Sequence, residues 1–344
     1  MTTTTTTSFK PAIQTDFSFT PDEKQQFKEA LSSIPANPYT QYPAFLKGVR
    51  QLLAEGRIPQ RFVDMCKAAR GRDLIAHPFH FVTNCPIDEG VPPFDFEQPV
   101  KSKYELKKTF IAEGFLLTYA DLMGQPAIGY KNVNAGDILQ DIYPMKELYK
   151  SQSQKTLLPI GFHKDLANHF VRPDFVNILG MRSFEGNEIL TTFVRNRDLI
   201  DFLGPDLERV LREPNFYTPY DDLSTHSDKD AKLGRAANHP VIQGEADFVY
   251  FENRTVAYSD EGARAVEKVN EGLHSLKSRI LMRPGDFVSC SNNTGLHGKD
   301  VETIKDPYQQ KIRWSIKTVN VLDMEKHRQH FKEYVPGEYA IVNG

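Results

Sequence analysis

A chain of 344 residues with 40% hydrophobic and 25% charged content can bury a large core and has the makeup of an ordinary soluble globular protein. A net charge of −3 provides no electrostatic footprint for nucleic acid or an anionic membrane, and no apolar run approaches the ~18–20 residues of a membrane span. Cys66, Cys85 and Cys290, odd in number and widely spaced, exclude a disulfide framework and a cysteine-rich zinc site, and fit a reducing cytoplasm.

The threonine-rich start lacks the basic and apolar regions of a signal peptide and reads as a disordered tail over about 1–15. The remainder, 16–344, reads as one domain, helical over about 16–125 and β-rich over about 126–325, with no Pro/Gly/Ser linker. Thr20-Pro21-Asp22-Glu23 supplies an N-cap, a proline at N1 and a capping-box Glu. Helical periodicity follows at 43–55 and 59–70, closing near Gly56 and Gly71, and again at 102–124. Between them, Leu74–Val82 reads as a strand. Beyond about residue 127, short apolar runs alternate with turn signals. Strands are expected at Ile138–Ile142, Leu157–His163, Phe175–Arg182, Leu190–Arg195, Phe248–Phe251, Phe287–Cys290 and Ile312–Val321, with helices over about 196–213 and 261–278. The polar stretch 217–240 reads as a long loop, a candidate lid, and His327 with His330 as part of a charged terminal helix.

The chemistry-bearing feature is His163-Lys164-Asp165, answered by Asn292-Asn293-Thr294-Gly295-Leu296-His297-Gly298. Two histidines and a carboxylate suit one face of a non-haem Fe(II), leaving the other face open. With 10 His and 45 acidic residues, about one His-x-acid arises by chance, and His226-Ser227-Asp228 is a second. Context separates them. Residues i and i+2 of a strand share a face, and the apolar run Leu157–Phe162 would hold His163 and Asp165 rigidly at a strand end. His226 and Asp228 lie among Asp221, Asp222, Ser224 and Asp230 and read as a solvated loop. The plain alternative for His163 is a core histidine bonded to its neighbour. His297 reads as following in a turn, after the turn and strand of Arg283-Pro284-Gly285-Asp286-Phe287. Alternation in Lys311–Lys317 puts Arg313, Ser315 and Lys317 on one face, either a solvated sheet face or an inward one that needs anions. His77, His80 and His169 read as ordinary structural histidines.

In these blocks and their order the chain resembles the Fe(II)/2-oxoglutarate-dependent oxygenases, specifically the clavaminate synthase-like branch of the taurine dioxygenase superfamily. The likeness runs from Leu74 to Val321. It rests on Gly124-Gln125-Pro126, Gln140–Pro144, His163–Asp165, Arg172–Val176, Met181-Arg182, Thr191-Thr192, Pro284–Asp286, Asn292-Asn293, His297-Gly298 and Arg313-Trp314. The resemblance implies a mainly β fold with flanking helices, a double-stranded β-helix (jelly roll, cupin-like) core. It implies Fe(II) held by His163, Asp165 and His297. The far carboxylate of the co-substrate 2-oxoglutarate would meet Arg313 and Thr191, with Thr192 second to Thr191, and Lys317 would face an acidic group of the primary substrate. Two departures stand out: Asp165 where Glu is commoner, and Lys317 where Arg is common, which replaces a bidentate clamp by a point charge.

The activity so implied is hydroxylation of an unactivated C–H bond of a free amino acid, basic ones included, or a similar small molecule. O2 is consumed, and succinate and CO2 are the co-products. Lys317 would receive the substrate carboxylate, Gln140 its ammonium, and Glu252, Asp221 or Asp222 a basic side chain. Desaturation of the same substrate, a non-catalytic metal and 2-oxoglutarate module, and a zinc hydrolase are the rivals. Retention of Asp165 argues against halogenation, which needs that position vacant for halide. Arg313 and Thr191, for which hydrolysis has no evident use, favour the oxygenase.

Overall fold

Thr20 opens the first helix, Pro21–Ser32, through a complete capping box: its hydroxyl accepts from the Glu23 N–H, and the Glu23 carboxylate accepts from the Thr20 N–H. In this computed structural model, which describes residues 13–220 and 237–343, helices Tyr42–Ala54 and Gln60–Ala69 follow where periodicity predicts them. The run expected at 102–124 is two helices, Pro99–Leu106 and Ile111–Met123. Lys107 breaks it. Its ammonium is buried between Asp88 (2.6 Å) and Glu113 (3.0 Å), and its backbone is extended. Asp88 then accepts from the Ile111 and Ala112 N–H groups at 3.0 and 3.1 Å, capping the second helix. These helices bury Phe27, Phe62 and Phe115 against Phe287, Leu179 and Ile316 of the sheet beneath.

Two sheets carry the site. The larger runs in the order Thr15–Ser18, Phe79–Thr83, Phe287–Ser291, Phe175–Arg182, Trp314–Asn320, Ala127–Tyr130, Tyr339–Val342, Phe331–Val335, with Gln140–Ile142 also paired to Trp314–Asn320. The smaller runs Ser278–Ile280, Asn187–Arg195, Gly295–Ile304, Ile160–His163. Side chains of both sheets line one cavity. On the smaller sheet's outer side, helix Asn196–Leu211, kinked at Gly204-Pro205, packs on Asp260–Leu276 through Leu199, Val269 and Leu273.

The differences from expectation have physical causes. Only Phe79–Thr83 of the run 74–82 is strand, because the His77 N–H turns back to the Asp73 carbonyl. Thr15, placed in the tail, opens a strand that pairs in parallel with Phe79–Thr83 and is fastened by Asp16 to Arg72. The run Phe248–Phe251 forms only Asp247–Phe248 plus a bridge from Phe251 to His163. The terminal segment is a short 3₁₀ turn, Glu325–His330, followed by the hairpin Phe331–Val335 and Tyr339–Val342. That hairpin joins the larger sheet through Ala127–Tyr130, burying Ala340 and Val342, so the sheet continues past residue 325. His297 lies in a ten-residue strand and not a turn. No helix among the described residues is long and apolar enough to cross a membrane.

Candidate active site

His163 ends strand Ile160–His163 and pairs in register with His297 on Gly295–Ile304, so the two imidazoles stand side by side with ring centroids 4.5 Å apart. Asp165, two residues on, turns its carboxylate between them: Oδ1 lies 3.1 Å from His163 Nε2 and 3.4 Å from His297 Nε2. One donor atom from each of the three falls within 4.8 Å of the others. Two imidazoles and one carboxylate gathered at one point are a donor set that fits Fe(II) on one face.

Surrounding contacts hold these groups. His163 Nδ1 lies 2.9 Å from the Gly161 carbonyl, which makes Nδ1 the donor and leaves Nε2 a lone pair facing the carboxylate. The ring stacks on Phe251 at 5.0 Å. Asn292 grips the Asp165 backbone from both sides, accepting from its N–H at 2.9 Å and donating to its carbonyl at 3.0 Å, and also donates to the Pro173 carbonyl. Asn293 accepts from Lys164 and donates to Asp174. The Asn292-Asn293 pair is therefore the clasp between the two ligand segments. Gly298 lets the strands close: a Cβ there would stand 2.8 Å from the Ile160 carbonyl oxygen.

Burial by itself would raise the Asp165 carboxyl, but the Lys317 ammonium, 2.9 Å from Oδ2, holds it well below the usual range. Burial, then the neighbouring His163, lowers the His297 imidazole, which keeps it neutral and able to bind a metal.

The cavity, about 140 Å³, extends from this cluster between the sheets. Ser315, Lys317 and Val319 of strand Trp314–Asn320, with Arg313 just before it, line the cavity, so the alternating face points inward. Thr191 lines it from the opposite sheet, whereas Thr192 is not part of the lining. Burial lowers the Arg313 guanidinium to about 10. Gln140, buried and beside Lys317 in register, lines the cavity with Nε2 unpartnered. Lys299, which the sequence reading passed over, also lines it; burial, then Arg313, pushes its ammonium well down.

Glu252 is a correction. It stands outside the cavity lining with both oxygens engaged, Oε2 by the Phe162 N–H at 2.9 Å and Oε1 by His274 Nε2 at 2.5 Å. It braces the His163 strand and does not face the cavity. Asp221, Asp222, His226 and Asp228, with most of the 217–240 loop, lie outside the described residues. His80 bonds Tyr119 in the helical layer, and His169 borders the cavity beside Tyr130.

No family model matches the chain. Among curated proteins, clavaminate synthase 2 of Streptomyces clavuligerus is 21% identical over 290 residues, spanning 82% of this chain and 85% of that protein. Enduracididine beta-hydroxylase of Streptomyces hygroscopicus is 23% identical over 278 residues (72% and 78% of the two chains). L-asparagine oxygenase of Streptomyces coelicolor is 23% identical over 259 residues (71% of each). Among solved structures, asparagine oxygenase in complex with Fe(II), 2S,3S-3-hydroxyasparagine and succinate superposes with a TM-score of 0.80 at 18% identity, covering 96% of this chain and all, 100%, of that one. The non-heme iron oxygenase OrfP with Fe and alpha-ketoglutaric acid gives 0.76 at 18% identity, covering 95% and 99%. The chain has the sheet-rich, helix-flanked fold of these oxygenases, and its resemblance to the clavaminate synthase-like branch is borne out by these relatives.

Proposed function

We propose that this chain is a non-haem Fe(II)/2-oxoglutarate-dependent dioxygenase of the clavaminate synthase-like branch that hydroxylates a free amino acid. The observation that carries the reading is the convergence of His163, Asp165 and His297 on the wall of a cavity that Arg313 and Thr191 also line. Relatives named for asparagine and enduracididine, and a solved neighbour holding a hydroxylated asparagine with succinate, support the amino-acid class. We read the two facing sheets as a jelly roll, and the three free, buried cysteines as fitting a reducing cytoplasm.

His163, Asp165 and His297 would hold the iron. Bound Fe(II), with 2-oxoglutarate and O2, supplies the oxidising power for C–H hydroxylation and yields succinate and CO2. The chain supplies position and exclusion. His163 is kept in its binding tautomer by Gly161, and Asp165 is kept ionised by Lys317. Arg313 and Thr191 form the seat for the far carboxylate of 2-oxoglutarate. Gln140 offers its unpartnered Nε2, a donor, to an acceptor on the substrate and not to the ammonium first expected there, while Lys317 beside it rests on Asp165. Val176, Ile178, Phe251 and Met282 supply the apolar part of the wall, which limits the access of bulk water to the reacting carbon.

The test is an anaerobic visible spectrum of metal-free protein titrated with Fe(II) and 2-oxoglutarate. A weak charge-transfer band is expected that survives His226→Ala and vanishes in His163→Ala. A folded native protein that gives no band ends the oxygenase reading. Turnover is then screened with free amino acids by mass change.

A further inference from the structure

We propose that Lys299 is a second cation in the seat for the far carboxylate of 2-oxoglutarate, and that with Arg313 it makes the site selective for dicarboxylic 2-oxo acids. This rests on the oxygenase reading and adds a specificity-determining residue to it. Lys299 lies two positions past His297 on the same strand, and although the pairing with Ile160–His163 shifts register between them, the pairing with Asn187–Arg195 runs unbroken, so both share the inward face. It is 7% exposed and lines the cavity. In register it sits directly opposite Thr191 on Asn187–Arg195, while Arg313 reaches the cavity from the facing sheet.

The charges in the cavity leave two of its lining cations without an acid among the described residues. Its described lining contains Lys164, Lys299, Arg313 and Lys317, and one carboxylate, Asp165. Lys317 is satisfied by Asp165, and Lys164 by Asp247 behind the wall. Lys299 donates to a neutral acceptor, the Thr156 carbonyl, at 2.8 Å, which leaves its other two N–H bonds for a ligand. Among the described residues neither Lys299 nor Arg313 forms an ion pair with an acid. Two inward cations without a counter-charge are costly, and a carboxylate arriving between them reduces that cost. The same ledger disfavours a 2-oxo acid with an uncharged tail, which would bury both cations unpaired.

The experiment is calorimetric titration of the full chain loaded with Mn(II), without oxygen, using 2-oxoglutarate and its uncharged-tail analogue 2-oxopentanoate as probes. The native protein is expected to prefer 2-oxoglutarate. Lys299→Met should raise the Kd for 2-oxoglutarate by about 10- to 100-fold, the loss of one charged hydrogen bond, and leave 2-oxopentanoate little changed. Lys299→Gln keeps a donor for the Thr156 carbonyl without the charge and should lose the same preference; it decides the matter if Lys299→Met does not fold. The proposal is overturned if Lys299→Gln binds 2-oxoglutarate as tightly as the native protein, or if both acids weaken equally, which would mark Lys299 as a strut for Thr156. If Arg313→Met alone abolishes the preference, the oxygenase reading stands and the second cation is refuted. If the native protein binds neither acid, the oxygenase reading itself fails.

Discussion

The Lys317 ammonium lies 2.9 Å from Asp165 Oδ2, while Asp165 Oδ1 faces Nε2 of both His163 and His297. The carboxylate is thus divided between a cation on one oxygen and the metal-ligand cluster on the other. An Asp, shorter than Glu, is held at the required reach by a lysine on the facing sheet. The shorter ligand and the lysine, each a departure from the commoner residue at its position, meet in one contact.

Removing that lysine should therefore loosen the metal site. Lys317→Met is expected to weaken Fe(II) or Mn(II) affinity by about 10- to 100-fold, the usual range for a partner that orients a ligand. Metal titration of the apo-protein measures it. An unchanged affinity with a raised KM for the amino acid would assign Lys317 to the substrate alone.

Asn292 bonds the Asp165 N–H, the Asp165 carbonyl and the Pro173 carbonyl, and is 1% exposed. Asn292→Ala leaves three backbone groups without partners, one buried and two part-buried, and should cost on the order of 2–4 kcal/mol in denaturant unfolding. Because the grip is on the ligand segment, metal affinity should fall with it. A stable variant with intact metal binding would contradict the clasp.

Gly298 has no room for a side chain: an added methyl meets the Ile160 carbonyl oxygen at 2.8 Å and the Thr192 hydroxyl at 3.0 Å. The Ile160 backbone cannot give way without parting the strands that carry His163 and His297. Gly298→Ala is expected to destabilise by roughly 1–3 kcal/mol, as overpacking does, and to weaken metal binding. Thermal melting with and without Mn(II) reads both effects, and a shift in neither would show that the strands have slack.

Burial lowers the His80 imidazole to about 4, well below its ordinary value. A depressed folded-state value means the unfolded chain takes up a proton that the native state refuses. The stability this contributes is complete above the unfolded value of about 6.5 and is lost as pH falls towards 4. The full difference is on the order of 3 kcal/mol. The apo-protein should melt at progressively lower temperature across that window, and His80→Phe should flatten the decline. Since His239 and His297 are also lowered by burial, some slope should remain. A slope unaltered by His80→Phe would place the acid sensitivity elsewhere.

Local patterns were legible where local rules decide. The Thr20–Glu23 capping box, the inward face of Arg313, Ser315 and Lys317, and the strand Phe175–Arg182 follow from caps, alternation and continuous apolar runs. Reading failed where a distant partner overrides the local pattern. Lys107 interrupts a helical period because Asp88 and Glu113 draw it inward. The segment around His297 reads as a turn, for its glycines and charges hide a strand that exists because Ile160–His163 and Asn187–Arg195 flank it. Lys299 was missed for the same reason, since two-residue spacing from His297 carries meaning only on a strand.

The sequence by itself determined which residue types could bind a metal, and that His163 and Asp165, two apart after an apolar run, would share a face. It could not determine what each charge would meet. Glu252 looks like a free acid in sequence and is a brace for Phe162 and His274; Lys317 looks like a substrate clamp and rests on Asp165. A charged side chain's role depends on the counter-charge and desolvation around it, and those are set by strands far apart in the chain that only the folded sheets bring within 3 Å.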